Sequence, residues 1–166
     1  MKLAGAIAKR VRIDDIRLVS SNLKRNVLSD EDIPKRVRLN NGFKVTHRFD
    51  AETKHIGVLV LFLVCGRPES GEGETDIFRI ESSFSLDYRM SGDEPAGVEE
   101  VAAFAKVNGI YNAWPYWREY VQSTASRMGL PPLVLPVLSP GTIEKMVQAD
   151  EERTATPEET KPEDAG

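Results

Sequence analysis

Four stretches of the chain before residue 91 carry the two-residue period of β-strands, and a longer, helical period follows. In "IAKRVRIDDIRLVS", Val11 and Ile13 alternate, then Ile16 and Leu18 alternate in the opposite phase, which predicts a bulge near Asp14–Asp15. Residues 20–35 lose the pattern and read as a long connection. "RVRLNNGFKVTHRFD" places Phe43, Val45, His47 and Phe49 on one face, with Asn41-Gly42 as either a hairpin turn or a bulge. "HIGVLVLFLVC" is apolar on both faces from Val58 to Cys65, which predicts a central strand covered by helices on one side and by something else on the other. The fourth strand is half-solvated: Phe78, Ile80, Phe84, Leu86 and Tyr88 point one way, and Arg79, Glu81, Ser83, Ser85 and Asp87 the other. Short links between strands, then helices in a block, predict an α+β fold: an antiparallel sheet followed by helices.

Beyond "SGDEPAG", Val98, Val101, Ala102 and Ala105 predict a short helix ending near Asn108-Gly109. A second helix is expected from Asn112 to Met128, with Asn112 as N-cap and Pro115 in the first turn, where its missing donor costs nothing. Trp114, Trp117, Val121, Ala125 and Met128 form one stripe, flanked by Tyr116, Tyr120 and Thr124, an arc wide for a helix that covers only a sheet. Prolines 131, 132 and 136 make "LPPLVLPVLSPG" an extended apolar segment, and a last helix is expected from Thr142 to about Glu152.

Composition narrows the class. With 166 residues and one cysteine, Cys65, the chain is expected to fold as one domain without disulfides, in a reducing cytoplasmic compartment. The N-terminal apolar run is too short for a signal peptide, and no stretch reaches the length of a membrane span. The net charge of −4 conceals an end, residues 150–166, that carries −5 by itself. Residues 1–152 read as the folded domain and 153–166 as a disordered acidic tail.

Catalytic chemistry is hard to find. His47 and His55 have neither metal-ligand nor catalytic spacing to Cys65. "SGEGE" at 70–74 lacks a phosphate-loop lysine and reads as a hairpin loop. "NLKRN" is too short for a nucleic-acid surface. No enzymatic activity, cofactor, metal, nucleic acid or membrane insertion is expected.

The run "NAWPYWREYVQSTASRMGLPPLVLPV" resembles the hallmark region of SecB-type export chaperones, through Asn112, Pro115, Tyr116, Arg118 and Glu119 and then Leu130, Pro131, Leu133, Leu135, Pro136 and Val137. "RVRIDDIRL" is similar to that family's first strand. The resemblance implies a four-stranded antiparallel sheet with helices packed on one face, assembled as a homotetramer, a dimer of dimers. It also implies an ATP-independent holdase that keeps preproteins unfolded and passes them to the SecA motor. Related SecB-like proteins protect one antitoxin of a toxin–antitoxin pair instead.

Under that resemblance, Trp114, Tyr116, Trp117, Tyr120, Val121 and Thr124 are expected at a subunit interface. Unfolded clients need exposed apolar grooves, for which the stiff "LPPLVL" segment and the strand after the long connection qualify: Val37, Leu39, Phe43, Val45, Leu130, Leu133 and Leu135. Asp15 and Glu81 resemble acidic positions of the family's SecA-contacting surface, whereas a further acid of that pattern is Val19 here. A small-ligand-binding α+β domain and a purely structural assembly subunit are the rival readings. Breadth of clients separates a holdase from a one-ligand pocket.

Overall fold

The computed structural model describes residues 5, 7–69 and 75–155. Strands β1 (Val11–Arg25), β2 (Val37–Asp50), β3 (His55–Pro68) and β4 (Phe78–Met90) precede helices α1 (Val98–Arg127) and α2 (Pro140–Ala155). The strands form one antiparallel sheet in the order β1-β4-β3-β2, so the doubly apolar β3 is central, as its sequence implies. The "SGEGE" loop and residues 156–166 of the expected tail lie outside the described residues. Helix α2 runs to Ala155, so it takes in the first three residues assigned to that tail.

Ile56, Val58, Val60, Phe62 and Val64 of β3 are buried and face the helices. Leu59, on the opposite face of β3, is 40% exposed, and no described residue covers that face. Strand β1 shifts register between Ile13 and Asp15, where the inverted alternation predicts it, and again between Leu18 and Ser20. It also extends to Arg25, because "SNLKR" pairs with Phe78–Ser82 despite its weak apolar pattern. Asn41-Gly42 makes neither hairpin nor bulge. Strand β2 passes straight through it, pairing Asn41 with Val64 and Gly42 with Leu63.

The expected pair of helices is one 30-residue helix with Pro115 inside it. One local stop signal and two start signals give way to packing. Gly109 is not a stop but a point of close approach, since a Cβ there would lie 2.8 Å from Val58 Cγ1. Asn112 is not a cap: its Nδ2 donates to Tyr88 Oη at 3.0 Å. An interior proline forfeits one helical hydrogen bond, at a cost of about 3 kcal/mol. Here Pro115 lies on the exposed side, while Ile110, Ala113, Trp114 and Trp117 are buried around it and offset that cost. Where the helix does end, the signal is local. Gly129 has φ +64°, its N–H bonds Ser126 O at 3.1 Å, and Leu130 N–H bonds Ala125 O at 3.0 Å, a Schellman closure.

The aromatic cluster centres on Phe62, which stacks on Trp117 at 5.5 Å and meets Trp114 edge-on at 5.7 Å. Two side chains of α1 then pin the extended segment. Trp114 Nε1 donates to Pro136 O, and Arg118 Nε to Leu135 O, each at 2.8 Å.

Candidate functional site

The Schellman turn delivers Leu130 to the rim of a cleft of about 250 Å³. One wall is the start of β2, Val37 and Leu39; the other is Leu130, Pro131, Pro132 and Leu133. Ile33 and Pro34 of the connection close one end, and Ile77 and Phe78 form the floor. That floor depends on Gly66 of β3. A Cβ there would collide with the Phe78 ring and come within 2.8 Å of Val37 Cγ1, so only glycine lets the two meet. Leu39 is 46% exposed, and the prolines stiffen the opposite wall without satisfying it by hydrogen bonds. The result is a stable, open apolar groove.

Asp76 braces the floor. Its carboxylate accepts from Arg67 Nε at 2.7 Å and lies 3.7 Å from Arg79 Nη1. Its carbonyl accepts from Asn26 Nδ2, which ties the end of β1 to the same corner. The Arg67 hydrogen bond, aided by the Cys65 thiol, holds the Asp76 carboxyl below the usual carboxylate range. Burial, and then Asp76 itself, push the Cys65 thiol up, so it stays protonated in a structural position.

Further along β2, Asn41, Gly42 and Phe43 face α2 across a cavity of about 390 Å³ whose other side is Met146, Ala149, Asp150 and Arg153. Phe43, Lys44 and Val45 also border a cavity of about 430 Å³ with Lys106, Val147, Asp150 and Glu151. Odd-numbered residues of β2 from Val37 to Val45 therefore meet hollows on the helix side of the sheet, the first apolar and the two beside α2 bordered by charged side chains.

These placements divide the residues expected at a peptide site. Val37, Leu39, Leu130 and Leu133 line the first cleft; Phe43 and Val45 border the cavities beside α2. Leu135 is 3% exposed and belongs to the core, because the hydrogen bonds from Trp114 and Arg118 draw that stretch inward. The expected interface residues are redistributed as well. Trp114, Trp117, Val121 and Thr124 are buried under this chain's own sheet and extended segment, which accounts for the wide arc of α1. Tyr120 is half-buried, its hydroxyl 2.6 Å from Ser21 Oγ, and only Tyr116 stands open to solvent. Asp15 and Glu81 both lie on the open face of the sheet, paired with Arg17 and Arg79 at 3.0 Å.

Sequence reasoning missed Ile33, Pro34, Ile77 and the α2 residues. The isolated Ile33-Pro34 in an acidic connection was the available signal; nothing in α2 marks it as a cavity wall. Among the described residues, no group of three His, Cys, Asp or Glu side chains could hold a metal ion. No helix among them is long and apolar enough to cross a membrane.

A four-stranded antiparallel sheet under one long helix, with an apolar cleft at one edge, defines the fold as α+β. No protein-family model matches the chain. It is 28% identical over 155 residues, 83% of each chain, to the SecB-like chaperone Rv1957 of Mycobacterium tuberculosis H37Rv, and to the same extent to the SecB-like chaperone MT2006 of strain CDC 1551. The solved structure of the M. tuberculosis Rv1957 SecB-like chaperone, in complex with a ChAD peptide from the Rv1956 HigA1 antitoxin, matches with a TM-score of 0.73 at 23% identity, over 84% of this chain and 98% of that one. The chain is thus similar in sequence to SecB-like chaperones and shares the fold of one of them.

Proposed function

We propose that this chain is an ATP-independent chaperone of the holdase type, binding unfolded polypeptide in extended form along β2. The observation that carries this reading is the apolar cleft between the start of β2 and the proline-stiffened segment, beside a strand whose Leu39 is left open to solvent. Several shallow sites in series suit an extended chain, since weak contacts joined by one polymer multiply in effect. A compact small ligand suits them poorly. The client residues we assign are Val37, Leu39, Leu130 and Leu133 in the first cleft, with Phe43 and Val45 beyond it.

The test is aggregation of a chemically unfolded client, followed by light scattering without nucleotide. Near-stoichiometric protein should suppress it, and unaltered aggregation across a panel of clients together with no tight single partner would sink the chaperone reading.

A second reading is favoured by the structure matched above, whose SecB-like chaperone holds an antitoxin peptide. Here the chain serves one antitoxin, and a pull-down from its host should yield one dominant small protein rather than many preproteins. General export instead implies delivery to SecA in the cytoplasm, with Asp15 and Glu81 on the open face as docking positions. Assembly of four copies has Tyr116, with its neighbour Tyr111, as the exposed aromatic surface of α1.

A further inference from the structure

On the open face of the sheet, a row of cations crosses all four strands at the end nearest the cleft. Opposed residues share a face. The register sets Lys24 of β1 against Arg79 of β4, Arg79 against Cys65 of β3, and Arg38 of β2 against Arg67, two positions beyond Cys65. Two acids answer these four cations. Asp76 accepts from Arg67 and lies beside Arg79, and Glu81 is held by Arg79 at 3.0 Å. Lys24 and Arg38, at the two ends of the row, are exposed and make no ion pair or side-chain hydrogen bond among the described residues. Arg36, just beyond the row, is balanced by Glu69 at 3.6 Å. Four cations less two carboxylates leave this corner a surplus of positive charge.

We propose that the chain's own acidic end, residues 156–166, docks across this row. That end carries Glu158, Glu159, Glu163 and Asp164 against one base, Lys161, so it is complementary in sign. It also starts in the right place. Helix α2 ends at Ala155, and Arg153, two residues earlier, lines a cavity with Asn41 and Gly42 of β2. Arg38 is about 10 Å from Asn41 along the same strand, round the sheet edge on the other face. Lys24 lies three strand spacings further, about 14 Å. The segment from 156 to 166 reaches about 36 Å when extended. Its two acidic pairs are separated by at most about 17 Å, so Glu158-Glu159 at Arg38 sets Glu163-Asp164 over Arg79 and Lys24.

Each contact is an exposed ion pair and weak by itself. The tether supplies what a free peptide lacks, a local concentration in the millimolar range. The segment has no large apolar residue, so its hold is electrostatic and falls with salt. It thereby acts as a built-in competitor: an acidic polypeptide reaches this corner of the open face only when the tail is off. Glu72 and Glu74 of "SGEGE" are the rival occupants within the chain, and they would neutralise the corner whatever the tail does. Tail docking is independent of the chaperone reading.

The test uses the full chain with Ala165→Cys carrying a nitroxide label, since the buried Cys65 stays unlabelled. At low salt the label should broaden the amide signals of Lys24, Arg38, Arg67 and Arg79, and high salt should restore them. Lys24→Glu with Arg38→Glu, both exposed, should abolish the broadening while circular dichroism stays that of the parent chain. A second measurement is anisotropy of a fluorophore-labelled glutamate dodecapeptide. It should bind a full-length variant with Glu158→Gln, Glu159→Gln, Glu163→Gln and Asp164→Asn about fivefold tighter than the parent, as for a corner free about one-fifth of the time. No broadening on the open face at low salt overturns the proposal. Broadening of isotope-labelled chains by spin-labelled ones in a mixture, without broadening within one chain, overturns docking of the tail on its own chain. Equal binding of the glutamate peptide by parent and tail variant overturns the competitor role, and Glu72→Gln with Glu74→Gln, if it then tightens binding, assigns the corner to the loop acids instead.

Discussion

The two edges of this sheet, β1 and β2, are built to opposite specifications. Strand β1 shifts register twice and is laced by ion pairs. Asp14 sits between Arg12 at 3.0 Å and Arg89 at 3.1 Å, and Arg17 holds both Asp15 and Asp87. Strand β2 has no register shift, no ion pair on its cations among the described residues, and hollows beside its apolar positions. Bulges and satisfied charges blunt an edge, whereas a straight edge keeps its capacity to pair. Both edges expose large apolar residues, Leu18 and Leu23 on β1 and Leu39 on β2. Exposure alone therefore does not distinguish the two edges; regularity of register and ion pairing do.

The comparison rests on a shared core, and the largest effect comes from breaking that core. Trp117 is 1% exposed and stacked on Phe62. Trp117→Glu places an unpaired charge inside the chain and removes the aromatic contact, a loss above about 4 kcal/mol and close to the whole stability of a small domain. Both edges should disappear together, seen as loss of far-UV dichroism. A folded variant with altered oligomeric state would instead return Trp117 to a subunit interface.

A smaller and more selective effect separates two leucines of the extended segment. Leu135→Ser should destabilise the fold by about 2–4 kcal/mol, as expected for a buried leucine. Leu133→Ser, at the half-buried wall of the cleft, should leave the melting temperature within a few degrees and weaken client binding about tenfold. If both variants lose stability equally, the cleft wall is core and the β2 edge has lost its first hollow.

The strands were legible because their chemistry is local and periodic. Burial on alternate residues writes itself into the sequence of β4 directly, and the phase inversion at Asp14–Asp15 gave the first β1 bulge. Helix α1 was not legible as one element. Gly109 reads as a local stop and Asn112-Pro115 as a local start, and packing overrules all three: Val58 at Gly109, Tyr88 at Asn112 and the buried residues flanking Pro115. The peptide site was half legible for the same reason. Leu133 and Leu135 are equivalent by spacing, and only the hydrogen bonds from Trp114 and Arg118 decide which one turns inward. The walls supplied by α2 depend on where that helix docks, which no local pattern encodes.

The corner below the cleft should respond to acid. Asp76 is held below the usual carboxylate range of about 4 by Arg67 first, so the folded state binds its proton less readily than the unfolded chain does. The stability this contributes is present above the unfolded value and is lost as pH falls through the folded one. Asp76→Asn, which gives up a charge-assisted hydrogen bond worth about 1–2 kcal/mol, should lower the melting temperature by several degrees at pH 7. The gap should close as pH falls through the lowered folded value of Asp76, where the wild-type carboxyl becomes neutral as well. A constant gap across pH would assign the effect to packing of the cleft floor rather than to charge.

The smallest effect belongs to the open face. Asp15 and Glu81 are partly exposed and paired with arginines on their own strands, so they contribute little to the fold. Asp15→Asn with Glu81→Gln should leave the melting temperature within a degree or so and client binding unchanged, because neither residue approaches the hollows along β2. Their separation gives the pair its diagnostic value. Asp15 pairs with Asp87, and Glu81 lies six residues along the same strand, about 20 Å away. A partner that needs both must therefore lie flat across the open face. Purified SecA, titrated against the parent and the double variant by calorimetry, gives the outcome. Weakened binding with intact client protection would assign separate surfaces to motor and client, one on the open face and one at the β2 edge. Equal binding by both proteins would remove Asp15 and Glu81 from any motor contact, and parallel loss of SecA and client binding would mean that the two edges are not independent.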